Sequence, residues 1–283
     1  MLKLMGVSKF YGKHQVLDNI NLDFEDPSGV YGLLGRNGVG KTTLMKIISN
    51  MITVYQGQIT LEGQPLKNNA DQLEKVVCVG GQVSKENYTF QGKIKNLLAY
   101  YQLLYPNFNR ELADEMLAKF KLNPKDKFKK LSTGNQTLVQ NIMGLACRAQ
   151  VTILDEPTNG LDSVNRRIFF RFMMEDLAEY PRMFILSTHL IQEVENYLTH
   201  VMILKDRRVL LKGALEGIQK KSFRITNYQP QNKNIIHEEK LGSMVQYDVF
   251  DNLSQEEQQA IEAAGGQIER LDLQTLFNNL VEE

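Results

Sequence analysis

Gly35-Arg36-Asn37-Gly38-Val39-Gly40-Lys41-Thr42-Thr43 fits the pattern G-x-x-x-x-G-K-[ST], and its flanks give the pattern physical meaning. The apolar run Val30-Tyr31-Gly32-Leu33-Leu34 leads in as a buried strand, and Thr42 to Ile48 leads out as a helix. Glycines let a backbone turn its N–H groups inward around a phosphate chain. The helix N-terminus behind them adds the positive end of its dipole. Gly35, Asn37, Gly38, Val39, Gly40 and Thr43 are therefore candidates for the phosphate cradle. Lys41 can reach the β- and γ-phosphates, and the Thr42 hydroxyl can hold Mg²⁺. A Gly-rich turn with no ligand is the plain alternative, and the strand-loop-helix setting counts against it.

Bulk properties narrow the rest. The chain has 283 residues, enough for one large domain with a smaller appendage. Lys+Arg and Asp+Glu are both 33, so the chain lacks the basic footprint of a nucleic-acid binder. No apolar run approaches the ~18 residues of a membrane span. Met1 to Gly6 lacks the apolar core of a signal peptide. The expectation is a cytoplasmic chain whose membrane role, if any, comes through a partner. Cys78 and Cys147 each sit in an apolar segment and read as core thiols.

Residues 2–7 and 16–24 alternate apolar and polar, as half-buried strands do. Gln58 to Leu61 and Val76 to Val79 read as further strands. From about Lys93 to Gln150 the pattern turns helical, with helices over 94–105, 110–121 and about 132–148. Strands return at 151–154, 183–187, 201–204 and 208–211, with a helix over 164–180 between the first two. This is an α/β core interrupted by a helical insert of about 84–150. Past about Ala214 the chain becomes more polar, with strand candidates at 222–228 and 244–250 and helix candidates at 254–264 and 273–281. The division is residues 1–213 as a main unit and 214–283 as a small α+β appendage.

Two further stretches carry chemistry. Val151-Thr152-Ile153-Leu154-Asp155-Glu156 is an apolar strand ending in two carboxylates. Asp155 would hold Mg²⁺ and Glu156 would polarise the water that attacks the γ-phosphate. A solvent-facing strand end is the plain alternative. Leu131-Ser132-Thr133-Gly134-Asn135 precedes a helix and stands about 20 residues ahead of the acidic pair. By itself Ser132 could be an ordinary helix cap. With all of these in order, the chain resembles the nucleotide-binding subunit of an ATP-binding-cassette (ABC) transporter. Leu131 to Asn135 is similar to that family's L-S-G-G-Q signature, and the likeness covers residues 1 to about 213.

The resemblance implies a P-loop NTPase of the ABC-ATPase fold, α/β with an antiparallel β subdomain. It implies a Mg²⁺-dependent ATPase. Tyr11 matches the aromatic that stacks on adenine, with Phe10 a competing candidate. Gln82 matches the glutamine that touches Mg²⁺ and senses the γ-phosphate. His189, in Ser187-Thr188-His189, matches the histidine that bonds the γ-phosphate, and Pro157 to Asp162 matches the loop that crosses the dimer. Ser132, Gly134 and Asn135 would complete the phosphate site of a second ATP-binding subunit, identical or merely similar. Thr133 and Asn135 depart from the family's glycine and glutamine, and Leu138 stands where an arginine is frequent. Leu271 to Phe277 resembles the ending of subunits that serve ABC-2-type exporters, which implies a multi-span permease partner. A soluble ABC ATPase without a membrane subunit, an importer ATPase and an ATP sensor are the rival readings.

Overall fold

A computed structural model describes residues 1–81, 92–242 and 244–282. Two sheets build the main unit. β1 (Leu2–Tyr11), β2 (His14–Phe24), β4 (Gln56–Leu61) and β5 (Gln64–Pro65) form an antiparallel sheet in the order β2-β1-β4-β5. A six-stranded sheet contains β3 (Val30–Gly35), β6 (Val76–Gly80), β7 (Val151–Asp155), β8 (Met183–Ser187), β9 (His200–Lys205) and β10 (Arg208–Ala214). Its order is β10-β9-β3-β8-β7-β6. All its neighbours pair in parallel except β9 with β10, which form the hairpin across Lys205-Asp206-Arg207.

β3, β6, β7 and β8 are buried at every residue. Their near-continuous apolar runs are what a parallel sheet covered on both faces demands. Side chains alternate across the sheet. Ile153 and Ile185 enter one core with Leu4, Ile20 and Leu44, beneath the antiparallel sheet and the helix Lys41–Ile48. Leu154 and Leu186 enter the other, with Val139, Ile142 and Met143 of the helical insert. Each such side chain, fully buried, contributes about 1.5–3 kcal/mol.

The insert's described helices are Ile94–Leu104, Arg110–Lys119 and Thr133–Ala146, each within two residues of its expected start. The Asn109 side chain caps the second by accepting from the Leu112 N–H (3.0 Å). The helix Ser163–Glu179 bridges β7 and β8. At the amino ends of those strands, Arg182 is 2% exposed, and Asp176 accepts both its Nη2 (2.5 Å) and Arg148 Nε (3.0 Å).

The appendage carries a second antiparallel sheet of β11 (Ser222–Thr226), β12 (Ile235–Leu241), β13 (Met244–Phe250) and β14 (Gln267–Arg270), in the order β12-β13-β11-β14. The sequence pattern identifies β11 and β13 but not β12 or β14. The two missed strands are edges whose residues, such as His237-Glu238-Glu239-Lys240, alternate poorly, so pairing rather than propensity places them. Ser254 and Glu257 form a reciprocal capping box on the helix Gln255–Ala263. The last helix, Leu273–Val281, leaves the appendage and buries Leu273, Leu276 and Val281 in the main core.

Candidate functional site

The carboxyl ends of β3, β7 and β8 lie side by side, with Asp155 opposite Ser187 in register and Leu33 opposite Ser187 on the other side. Open α/β sheets bind ligands at this end of their strands. A cavity of about 630 Å³ sits there.

The phosphate loop forms one wall through Asn37, Gly38, Gly40, Lys41, Thr42 and Thr43. Gly40 precedes the first turn of Lys41–Ile48 with φ 113°, a conformation that favours glycine. A Cβ there would stand 2.8 Å from Leu17 Cδ2 and 3.0 Å from the Val16 carbonyl. Lys41 is buried, and its Nζ donates to the carbonyls of Gly35 (2.6 Å) and Arg36 (3.3 Å). Burial pushes its pKa down, while the nearby charges of Glu156 and Asp155 oppose that shift. A buried ammonium met by two neutral carbonyls is a strong attractor for an anion.

Asp155 and Glu156 form the opposite wall. Asp155 is buried, and Ser187 Oγ donates to its Oδ1 at 2.5 Å. Thr42 Oγ1 donates to its Oδ2 at 3.5 Å. Burial raises the Asp155 pKa; the Ser187 hydrogen bond and the charge of Lys41 act against that rise. Gly81, on the strand end expected before Gln82, explains how the carboxylate is accommodated. Its φ is 49°, and a Cβ there would fall 2.4 Å from Asp155 Oδ2.

Glu156 adopts the left-handed region at φ 52°. Its N–H donates to the Ser187 carbonyl (3.1 Å) and to Ser187 Oγ (3.2 Å). This turn aims the side chain out of the strand, and Oε2 lies 2.8 Å from His189 Nδ1. A carboxylate only accepts, so the shared hydrogen sits on Nδ1 and Nε2 remains available. His189 is about half exposed and also lines the cavity.

The remaining expected residues are placed differently. Ser132 caps the helix Thr133–Ala146, its Oγ accepting from the Asn135 N–H (3.3 Å). A Cβ on Gly134 would meet the Gly160 carbonyl at 2.3 Å, so the signature's glycine lets its helix rest on the loop 157–162 of the same chain. Asp162 caps the helix after that loop by accepting from the Asn165 N–H (2.8 Å). From this region Thr133, Gln136, Thr137 and Gln140 line the cavity. Tyr11, Gly35, Val39, Ser132, Gly134 and Asn135 are not among its described walls, although Lys41 grips the Gly35 carbonyl. Tyr11 is half exposed at the end of β1, with Lys9 Nζ 4.6 Å from its ring centre. Gln82 lies outside the described residues. Sequence reasoning passed over Ser187 and Gly81. The available signal was a polar residue closing an apolar strand directly before His189, and a glycine pair directly before Gln82.

The arrangement has two protein oxygens suited to a hard cation, Thr42 Oγ1 and an Asp155 carboxylate, beside an anion-seeking loop. Among the described residues no group of three or more His, Cys, Asp or Glu is arranged to hold a metal ion alone. That donor set fits Mg²⁺ supplied together with phosphate oxygens.

Comparison with known proteins gives the family and the fold. The sequence model for the family described as ABC transporter matches residues 17–159. The ABC transporter ATP-binding protein YtrB of Bacillus subtilis (strain 168) is 27% identical, over 88% of this chain and 85% of that protein. The bacitracin transport ATP-binding protein BcrA of Bacillus licheniformis is 25% identical, over 89% of this chain and 83% of that protein. Among solved structures, the ATP-binding cassette MJ0796, described as a dimeric post-hydrolysis state bound to ADP and Pi, superposes with a TM-score of 0.64. It is 24% identical and matches 76% of this chain and 99% of that one.

Proposed function

The chain belongs to the ABC transporter family as an ATPase subunit, and from that premise we propose that it dimerises on ATP and powers an ABC-2-type membrane exporter. The observation that carries the catalytic part is the convergence of Lys41, Thr42, Asp155, Glu156 and His189 on one cavity. Lys41 and the loop amides hold the β- and γ-phosphates, exchanging the Gly35 and Arg36 carbonyls for phosphate oxygens. Thr42 and Asp155, with Gln82, would hold Mg²⁺, which neutralises phosphate charge when bound. Glu156 orients the attacking water and takes up its proton. His189, in its doubly protonated imidazolium form, keeps Nδ1–H on Glu156 and donates Nε2–H to the γ-phosphate as negative charge develops. The products are ADP and inorganic phosphate.

Dimerisation is supported by the signature's placement. Ser132 and Asn135 stand outside the described walls of their own chain's cavity, at a helix N-terminus that can close an anion site elsewhere. Tyr11 takes adenine on its open ring face. The exporter reading is supported by the ending Leu271 to Phe277 and by a relative named for bacitracin transport. No helix among the described residues is long and apolar enough to cross a membrane; in this reading the membrane spans belong to a multi-span permease partner.

Affinity isolation of the tagged Glu156→Gln chain from its native cells, in detergent with ATP and Mg²⁺, tests this reading. Recovery of a multi-span membrane protein supports it, and a second cassette alongside indicates a heterodimer. Recovery of soluble partners alone, by a chain that still binds ATP, would replace it with the soluble-ATPase alternative.

A further inference from the structure

The helix Leu273–Val281 is tied at its start to Glu195, beyond His189, and at its end to Lys205, on the strand beside β3. At its start, the Leu273 N–H donates to Glu195 Oε1 (3.4 Å), which also accepts from Gln219 Nε2 (2.9 Å). Glu195 follows the short helix Ile191–Val194, which itself follows His189. Ile191 and Val194 share the core that receives Leu273 and Leu276. In the same turn Glu193 pairs with Arg166, from the helix that follows the loop 157–162. At the other end of the C-terminal helix, Lys205 Nζ donates to the carbonyls of Leu280 (3.2 Å) and Glu282 (3.1 Å). Lys205 ends β9, whose Leu204 is the register partner of Gly35. Val281 lines a second cavity, behind the phosphate loop, with Arg36 and Val39.

Both attachments match the helix dipole, with a carboxylate at the amino end and an ammonium at the carboxyl end. The amino-terminal attachment holds a segment made of a four-residue helix and a three-residue turn, with little internal structure to fix His189, and the other anchors the helix to β9 beside the phosphate-loop strand. We propose that the C-terminal helix is a strap that sets the position of His189 relative to the phosphate loop, with Glu195 and Lys205 as its positioning residues. The proposal rests on His189 acting at the γ-phosphate. It gives the C-terminal region a part in the rate of ATP hydrolysis while leaving nucleotide contacts intact.

The test uses the full chain with Glu195→Ala, Glu195→Gln, Lys205→Met and the Glu195→Ala/Lys205→Met pair, measured by steady-state ATP hydrolysis and amide hydrogen exchange over residues 189–198. Each of Glu195→Ala and Lys205→Met should lower kcat about tenfold, less than the ~100-fold that an ångström of misplacement costs, with KM for ATP within about twofold of the parent. Glu195→Gln keeps an acceptor oxygen and should restore most of the rate. The double variant should be no slower than the worse single one, because a strap released at either end is already released. Exchange over 189–198 should quicken in every slowed variant. Parental kcat and exchange in both single variants would overturn the proposal, as would losses that multiply like those of independent sites. His189→Ala, measured alongside, separates the premise. If it hydrolyses ATP at the parental rate, the assigned role of His189 has failed, and exchange alone then decides whether the helix holds the segment.

Discussion

Replacing Glu156 by Gln removes one property and leaves the geometry standing. The backbone at this position is left-handed, φ 52°, which costs roughly 1–2 kcal/mol for an L-residue and costs Gln the same. The N–H bonds to the Ser187 carbonyl and hydroxyl do not involve the side chain. The carboxamide oxygen can still take the His189 Nδ1 hydrogen across 2.8 Å. What disappears is a basic oxygen able to receive a proton from water. A positioned general base contributes ~10²–10⁴ in rate, or about 2.7–5.5 kcal/mol at ~1.36 kcal/mol per decade. Steady-state phosphate release should fall by that factor. Nucleotide binding should survive, so ATP at about 100 times its Kd should still stabilise the chain by ~2.7 kcal/mol. At roughly 2–4 °C per kcal/mol that is a Tm gain of ~5–11 °C. Size-exclusion chromatography with ATP and Mg²⁺ should show a dimer that persists, because hydrolysis no longer releases it. Turnover within about threefold of the parent would refute the reasoning, since a lost general base cannot cost so little.

Other substitutions probe other parts of the molecule. Lys41→Ala removes the cation that grips the loop carbonyls and should weaken ATP binding by roughly 10- to 150-fold, the equivalent of one charge-assisted hydrogen bond, as read by equilibrium titration. Ser187→Ala removes the hydrogen bond that lowers the Asp155 pKa, so that pKa should rise further, and binding of ATP with Mg²⁺ should be lost at a higher pH on acidification than in the parent. The sign for folding is opposite: a carboxyl raised by burial favours the free protein below its unfolded pKa, and that contribution is lost as pH rises through the folded value. Free Ser187→Ala should therefore lose more stability than the parent on going from acid to neutral pH, as thermal melts at each pH would show. Asp176→Ala strands the buried Arg182 guanidinium at the amino ends of the strands and should cost about 3–5 kcal/mol of stability, while KM for ATP at the opposite end stays unchanged.

Much of the architecture was readable in order along the chain. β3, β7 and β8 announce themselves because a strand buried on both faces must be apolar throughout, and the phosphate loop because few residue types fit its backbone. The helix Leu273–Val281 was readable to its ends, since its apolar stripe and the Asp272 cap are both local. β12 and β14 were not, because an edge strand needs only a partner's hydrogen bonds. Ser187 is visible in the sequence only as the residue closing a strand, and its tie to Asp155 joins residues 32 positions apart.

The sequence by itself determined which groups are present: a cradle for phosphate, a lysine within it, a hydroxyl, two carboxylates and a histidine, each closing or following a recognisable element. Local pattern suffices there because each motif's backbone is restricted by its own neighbours. Only the tertiary structure decided which of them share a cavity. Parallel pairing brings Asp155 beside Ser187, and Gly81 admits the Asp155 carboxylate because a side chain there would occupy its space. Gly134 rests on Gly160, so the signature packs against its own chain's loop while Ser132 and Asn135 stay off the cavity's described walls. The path of the last helix, from Glu195 to Lys205, was likewise decided by packing. These are contacts between residues far apart in sequence, set by where whole elements can bury their apolar faces together.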